Sequence, residues 1–281
     1  MSALIEGLNP QQIAAVKHEG SPLLVVAGAG SGKTRVLTRR IAYLLAQRNV
    51  APYEVLAITF TNKAAGEMKE RVAQLVGDRA KAMWVSTFHS ACVRILRKEA
   101  SLLGYTNSFT IYDQSDSLRL ITLVMRDLNL DAKRYAPRAV AALISQAKNE
   151  LMGPADYLNQ GKDQFQEIVA QVFAIYQKRL SGANSMDFDD LIAKTVEVLQ
   201  RHPETRAKYR SRFKHILVDE YQDTNHAQYV LIKELVGSAS DSFALAELCV
   251  VGDADQSIYA FRGANIRNIL QFEADYPEAK T

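Results

Sequence analysis

The chain has 281 residues, 48% hydrophobic and 23% charged, with a formal net charge of +3. This is the composition of an ordinary globular protein, long enough for two domains or for one large α/β unit with an insertion, and it excludes a low-complexity chain. No apolar run approaches the roughly 20 residues that span a membrane. The start, Met1-Ser-Ala-Leu-Ile-Glu-Gly, lacks a basic region and a long apolar core, so no membrane partner and a cytoplasmic location are expected. Two cysteines, Cys92 and Cys249, lie far apart in apolar surroundings without a CxxC or Cys/His cluster. They read as buried thiols, and a structural metal is not expected. The small positive excess permits a nucleic-acid partner without requiring one.

The first predicted element starts at Asn9-Pro10, an N-cap residue followed by proline at the first helical position. It carries Gln12, either a solvated helix residue or an amide able to offer a donor and an acceptor to the edge of adenine. Next comes an apolar strand, Leu23 onward, delivered into Ala27-Gly-Ala-Gly-Ser-Gly-Lys-Thr34. This reads as a phosphate-binding loop. Gly28, Gly30 and Gly32 remove Cβ atoms that would block an inward-facing nest of backbone N–H groups around Ala29 and Ser31. The helix beginning near Lys33 adds its positive end. Lys33 supplies a point charge for the β/γ-phosphates of ATP, and the Thr34 hydroxyl is a ligand for Mg²⁺. The motif asks for glycine at its first position, where this chain has Ala27.

A helix from Lys33 to about Gln47 follows, with Val36, Leu37, Ile41, Leu44 and Leu45 on one face. Then strand, polar turn and helix repeat: Val55–Thr59, Phe60–Lys63, Ala64–Val76, and again Trp84–Ser86, Thr87–Ser90, Ala91–Leu103. The rhythm predicts a parallel sheet with helices on both faces and ligands beyond the carboxyl ends of its strands. Phe60, Thr61, Asn62, Thr87 and His89 would then share one sheet edge. Hydroxyls and amides at helix N-termini there either cap the helices or bind a phosphate backbone without reading sequence, and His89 is either a phosphate contact or a structural histidine.

Between about Phe109 and Ser185 the rhythm breaks into one short strand, Phe109–Tyr112, and helices at Asp116–Leu128, Pro137–Asn149 and Gln164–Leu180. A mostly helical subdomain inserted into the α/β unit accounts for this. A helix Leu191–Gln200 follows, and the strand Phe213–Asp219 restores the sheet and ends in Asp219-Glu220. Asp219 is placed to hold Mg²⁺ and Glu220 to activate water. A helix Ala227–Val236 leads to the strand Leu248–Gly252, and the turn after it carries Gln256, either a turn-capping amide or a sensor of the γ-phosphate. Tyr259, Phe261 and Arg262 follow, and a final helix runs from Ile266 to Tyr276. Aromatic faces beside an arginine suit unpaired bases and their phosphates.

The set Leu8-Asn9-Pro10-x-Gln12, the loop Ala27 to Thr34, Thr59-Phe-Thr-Asn-Lys-Ala-Ala65, Ser86-Thr-Phe-His-Ser90, Asp187-Phe-Asp-Asp-Leu-Ile192, Val218-Asp-Glu-Tyr-Gln-Asp-Thr-Asn225 and Val251-Gly-Asp-Ala-Asp-Gln-Ser-Ile-Tyr259 resembles the N-terminal half of a UvrD/PcrA/Rep helicase of superfamily 1. Ala27 in place of glycine is that family's usual form. The resemblance implies a RecA-like P-loop NTPase domain 1A, residues 1–108 and 186–281, interrupted by a helical domain 1B at 109–185. It implies Gln12 at adenine, Arg35 near the base or sugar, Lys33, Thr34 and Asp219 on phosphate and Mg²⁺, Glu220 on water, and Gln256 coupling the γ-phosphate to DNA. Phe60, Thr61, Asn62, Thr87, His89, Tyr259, Phe261 and Arg262 would line a single-stranded DNA track, with Phe261 where several relatives have Trp. Such helicases translocate 3′ to 5′ on single strands and at single/double-strand junctions, alongside repair or replication proteins. Relatives continue into C-terminal helicase domains, including a second RecA-like domain that supplies arginines to the ATP site. A chain without those arginines is expected to hydrolyse ATP poorly, since an arginine finger is worth about 10³ to 10⁵ in turnover.

Overall fold

A computed structural model describes residues 2–28, 30–160, 163–237, 245–253 and 266–281. Among them are seven strands: β1 (Leu23–Val26), β2 (Val55–Thr59), β3 (Trp84–Thr87), β4 (Thr110–Tyr112), β5 (Ser185–Asp187), β6 (His215–Val218) and β7 (Glu247–Gly252). The chain divides into two compact units, one of Met1–Ala91, His202–Asn225 and Ile232–Thr281, the other of Cys92–Arg201 with His226–Leu231.

The first unit is built on a five-stranded sheet in the order β1-β7-β6-β2-β3, and every pairing is parallel. The sequence dictates this through unbroken apolar runs. β2 reads Val-Leu-Ala-Ile-Thr and β6 His-Ile-Leu-Val, and every residue of both is buried, as strands covered on both faces require. Leu37, Ile41, Leu44 and Leu45 of the helix Lys33–Ala46 join Val55, Ala57, Leu217 and Val251 of the sheet in one core. At the margin β1 is only half buried, and Val26 is 38% exposed. Its outer edge is met by Lys280, whose carbonyl accepts from Leu24 N–H at 2.8 Å.

Register brings the chemistry to one edge. Val26 lies opposite Gly252, Val218 opposite both Val250 and Ile58, and Thr59 opposite Thr87. The carboxyl ends of all five strands therefore point the same way, as the repeating strand-turn-helix pattern requires.

The second unit is mostly helical. Its core joins Ile121 and Val124 of the helix Gln114–Asp127, Val140 and Ile144 of Pro137–Asn149, and Phe173 and Tyr176 of Gln164–Gly182. β4 and β5 pair in parallel beside it, Ile111 opposite Met186. Both cysteines are free and buried, and burial pushes their thiols up to about 12 for Cys92 and about 11 for Cys249. Among the described residues no helix is long and apolar enough to cross a membrane.

Several elements depart from the sequence reading. Asn62 and Lys63, and Phe88–Ser90, expected in turns, are already helical, in Asn62–Val76 and Phe88–Glu99. The Thr61 hydroxyl caps the first by accepting from Ala64 N–H at 3.1 Å, and the Thr87 hydroxyl accepts from Ser90 N–H at 3.2 Å, so strand passes into helix almost without a loop. β5 is three residues long, too short to announce itself by alternation, yet all three are buried. The helix Pro203–Arg212, Pro-Glu-Thr-Arg-Ala-Lys-Tyr-Arg-Ser-Arg, buries only Thr205 and Tyr209 and so carries no apolar stripe to read.

Candidate active site

β1 delivers the chain into the glycine-rich loop. Gly30 and Gly32 both take left-handed backbone, φ +73° and +87°, a conformation side-chain-bearing residues avoid. Gly32 has a second reason to lack a side chain: a Cβ there would stand 3.2 Å from Gln12 Nε2. Gly32 is also the N-cap of the helix Lys33–Ala46, so Lys33 and Thr34 open that helix at its electropositive end. Ala29 lies outside the described residues.

Lys33 Nζ donates to the carbonyls of Ala27 at 3.0 Å and Gly28 at 3.3 Å, and to Asp253 Oδ2 at 2.7 Å. Asp253 follows the last residue of β7 and is fully buried. The Thr34 hydroxyl donates to Asp219 Oδ2 at 3.3 Å, across 185 residues of chain. Asp219, one residue past β6, is 6% exposed. Burial raises its pKa, Glu220 beside it adds to that, and the Glu220 N–H, the Thr34 hydroxyl and the Lys33 charge do not cancel the effect. A hydroxyl and a hard carboxylate oxygen this close are a donor set suited to Mg²⁺, whose charge would relieve that strain on Asp219.

Glu220 is one of few non-glycine residues with left-handed backbone, φ +49° and ψ +44°. That conformation costs about 1–2 kcal/mol and here turns the chain sharply at the end of the sheet. Its N–H is held by Asp219 Oδ1 at 3.1 Å. Its carboxylate Oε2 accepts from Gln222 Nε2 at 2.8 Å, while Gln222 Oε1 accepts from Asp253 N–H at 3.0 Å. Lys33, Thr34, Asp219 and Glu220 are thus brought together as the sequence expects. Gln222 and Asp253 join them without having been assigned a role. Asp253 had a sequence signal, an acid directly after an apolar strand like Asp219. Gln222, inside the short turn Tyr221–Asp223, stands in one of the motifs that carry the family resemblance, but no local chemistry marked it out.

Gln12 lies against the loop. Its side chain closes a reciprocal cap with Asn9 and its Nε2 donates to the Ser31 carbonyl at 3.0 Å. Arg35 donates to the Glu6 carbonyl at 3.3 Å and, with Thr38, Arg39, Arg71 and Gln74, lines a cavity of about 300 Å³. Further along the edge, Phe60 and Phe88 meet edge to face with centroids 5.6 Å apart. Thr61 and Asn62 are exposed and Thr87 is buried. Burial holds the His89 imidazole below its usual range, so at neutral pH the ring offers hydrogen bonding and no positive charge. Gln256, Tyr259, Phe261 and Arg262 lie outside the described residues.

Known proteins resemble this chain over nearly its whole length. The family model for the UvrD/REP helicase N-terminal domain matches residues 8–277. The chain is 62% identical over 283 residues to the ATP-dependent DNA helicase UvrD1 of Mycobacterium tuberculosis (strain ATCC 25618 / H37Rv), covering 99% of this chain and 37% of that protein. To UvrD1 of Mycobacterium leprae (strain TN) it is 60% identical, over 99% of this chain and 37% of the relative. It is 53% identical to the ATP-dependent DNA helicase PcrA of Staphylococcus aureus (strain Mu50 / ATCC 700699), over 100% of this chain and 38% of the relative. The chain therefore spans less than two-fifths of the length of these relatives. With a match over nearly all of its residues, it belongs to the UvrD/REP helicase N-terminal domain family.

Proposed function

We propose that these 281 residues form the nucleotide-binding, DNA-stimulated ATPase part of a 3′ to 5′ DNA helicase, acting on single-stranded DNA and on single/double-strand junctions in repair or replication. The observation that carries this reading is the convergence of Lys33, Thr34, Asp219 and Glu220 on one edge of a parallel sheet. In this reading the glycine-rich loop and Lys33 bind the phosphates of ATP, and Gln12 and Arg35 take the base. Thr34 and Asp219 would hold Mg²⁺, which neutralises charge on the phosphates. Glu220 orients and deprotonates the attacking water, and Gln256 senses the γ-phosphate.

Residues 1–108 and 186–281 act as the RecA-like domain 1A and 109–185 as domain 1B. Phe60, Thr61, Asn62, Thr87, His89, Tyr259, Phe261 and Arg262 form the DNA track, with aromatic stacking giving sequence-tolerant grip. Turnover by this chain alone is slow, because the arginines that complete such sites come from a second RecA-like domain.

The test is ATP binding and turnover by this chain, with and without single-stranded DNA. Binding of ATP·Mg²⁺, turnover that rises with DNA, and loss of turnover with retained binding in Glu220→Gln are expected. Normal turnover in Glu220→Gln overturns the base assignment. Binding without any turnover reduces the chain to a nucleotide- and DNA-binding module.

A further inference from the structure

We propose that Gln222 is the positioning residue for the Glu220 carboxylate and that it locks this carboxylate to the turn at the end of β7. The inference rests on the reading of Glu220 as the group that activates water.

Gln222 is 2% exposed, and both ends of its amide are engaged. The Nε2 end donates to Glu220 Oε2 at 2.8 Å and the Oε1 end accepts from Asp253 N–H at 3.0 Å. These partners fix the amide's orientation. Turned over, its oxygen would face a carboxylate and its NH₂ a backbone N–H, two repulsive contacts in place of two bonds. The β7 turn is shaped to admit it: a Cβ on Gly252 would stand 3.2 Å from Gln222 Oε1. Asp253, whose N–H holds the amide, carries the carboxylate that pairs with Lys33 at 2.7 Å. One buried amide therefore connects the carboxylate to the residue that anchors the phosphate-binding lysine.

The left-handed backbone of Glu220 sets where its side chain leaves the sheet, but its outer torsions are free to rotate, and Gln222 is the side chain that restrains them. A base has to meet its water within hydrogen-bond reach and in line with the phosphorus, and a misplacement of about 1 Å costs about a hundredfold in rate. Both polar ends of the amide are spent on Glu220 and Asp253. It acts through Glu220.

The test uses this chain with ATP·Mg²⁺ under single turnover, protein in excess, alongside equilibrium binding of a fluorescent ATP analogue and far-UV circular dichroism. Gln222→Met keeps the volume and removes both bonds. Gln222→Glu keeps an acceptor for Asp253 N–H and puts an oxygen against Glu220. Both are expected to slow hydrolysis about 10- to 100-fold with nucleotide Kd changed less than about twofold, and Gln222→Met added to Glu220→Gln is expected to slow it no further. Three results overturn the proposal: an unchanged rate in Gln222→Met, the same fold-loss in the Glu220→Gln background as in the parent chain, or a loss that follows nucleotide affinity or melting. If Gln222→Met fails to fold, Gln222→Glu decides, and a normal rate there overturns it. An inactive Glu220→Gln beside normal Gln222 variants sinks the positioning role alone. A parent chain without turnover, or an active Glu220→Gln, removes the base assignment and this proposal with it.

Discussion

Lys148→Met tests a deeply buried charge in the second unit. Lys148, near the end of the helix Pro137–Asn149, is 3% exposed, with its ammonium 2.6 Å from Asp187 Oδ2 and 3.0 Å from Asp190 Oδ1. The two acids cap each other's backbone at the start of the helix Phe188–Arg201, Asp190 N–H on Asp187 Oδ1 at 2.8 Å and Asp187 N–H on Asp190 Oδ2 at 3.3 Å. Tyr176 donates to Asp187 and Gln177 to Asp190. Burial works against the Lys148 charge, but Asp190 and Asp187 outweigh it and raise its pKa. Methionine fills the same volume and leaves two adjacent, desolvated carboxylates without their shared cation. Removing one partner from such a group costs about 3–5 kcal/mol, which corresponds to a fall in Tm of roughly 6–20 °C for a protein of this size. The sign with pH follows from linkage. Burial already raises the Asp190 pKa with Lys148 in place, and without that cation its folded-state pKa stays above the unfolded one, so the folded variant gains protons and stability as pH falls. Urea melts followed by far-UV circular dichroism at pH 7 and pH 5 should show a gap to the parent chain that is wide at pH 7 and narrower at pH 5. Lys148→Met combined with Asp187→Asn and Asp190→Asn should recover most of the loss. A loss below about 1 kcal/mol, or a gap that widens on acidification, would refute the reasoning.

Two further outcomes are expected. Lys33→Met should weaken ATP·Mg²⁺ binding roughly 10- to 150-fold, the worth of one charge-assisted bond. It should also lower Tm by removing the ammonium 2.7 Å from fully buried Asp253, and Asp253→Asn in the same chain should restore Tm but not binding. Arg48 makes a two-pronged pair with Glu247 at 2.7 and 2.7 Å, and this pairing together with His215 at 3.4 Å overcomes burial to hold the Glu247 pKa well below its ordinary value of 4.5. Arg48→Met should therefore cost about 1.5–3 kcal/mol at pH 7, with a gap to the parent that shrinks as pH falls through 4.5 and below, measured by urea melts across that range.

How much of this was legible depends on the range of the interaction concerned. The sheet was legible because each buried parallel strand is a local event, four to six apolar residues closed by a polar turn, as in Val55–Thr59 and Leu248–Gly252. The glycine-rich turn between β1 and the helix Lys33–Ala46 was legible for the same reason, since strand, glycines and helix start lie within a dozen residues. Where one residue decides the boundary, local reading slipped: a single hydroxyl on Thr61 or Thr87 starts its helix earlier than the apolar period suggests. β5 was invisible because three residues have no period, and it exists because Asp187 has buried partners on three helices.

The site divides along the same line. Asp219 and Glu220 announce themselves by standing at the end of an apolar strand, and the register of the parallel sheet carries them to the Lys33 edge without further information. Gln222 and Asp253 depend on a contact across 31 residues, and Asp253 and Lys33 on one across 220, so no spacing in the chain marks them as partners. What the sequence offers at Lys33 is a cation for phosphate, whereas the fold shows that cation sharing a fully buried carboxylate. In the proposed function a polyphosphate at Lys33 would have to compete with Asp253 for the ammonium. Gln222 takes the backbone N–H of Asp253 and leaves its carboxylate to Lys33, so the amide is placed to act on Glu220 without entering that ion pair.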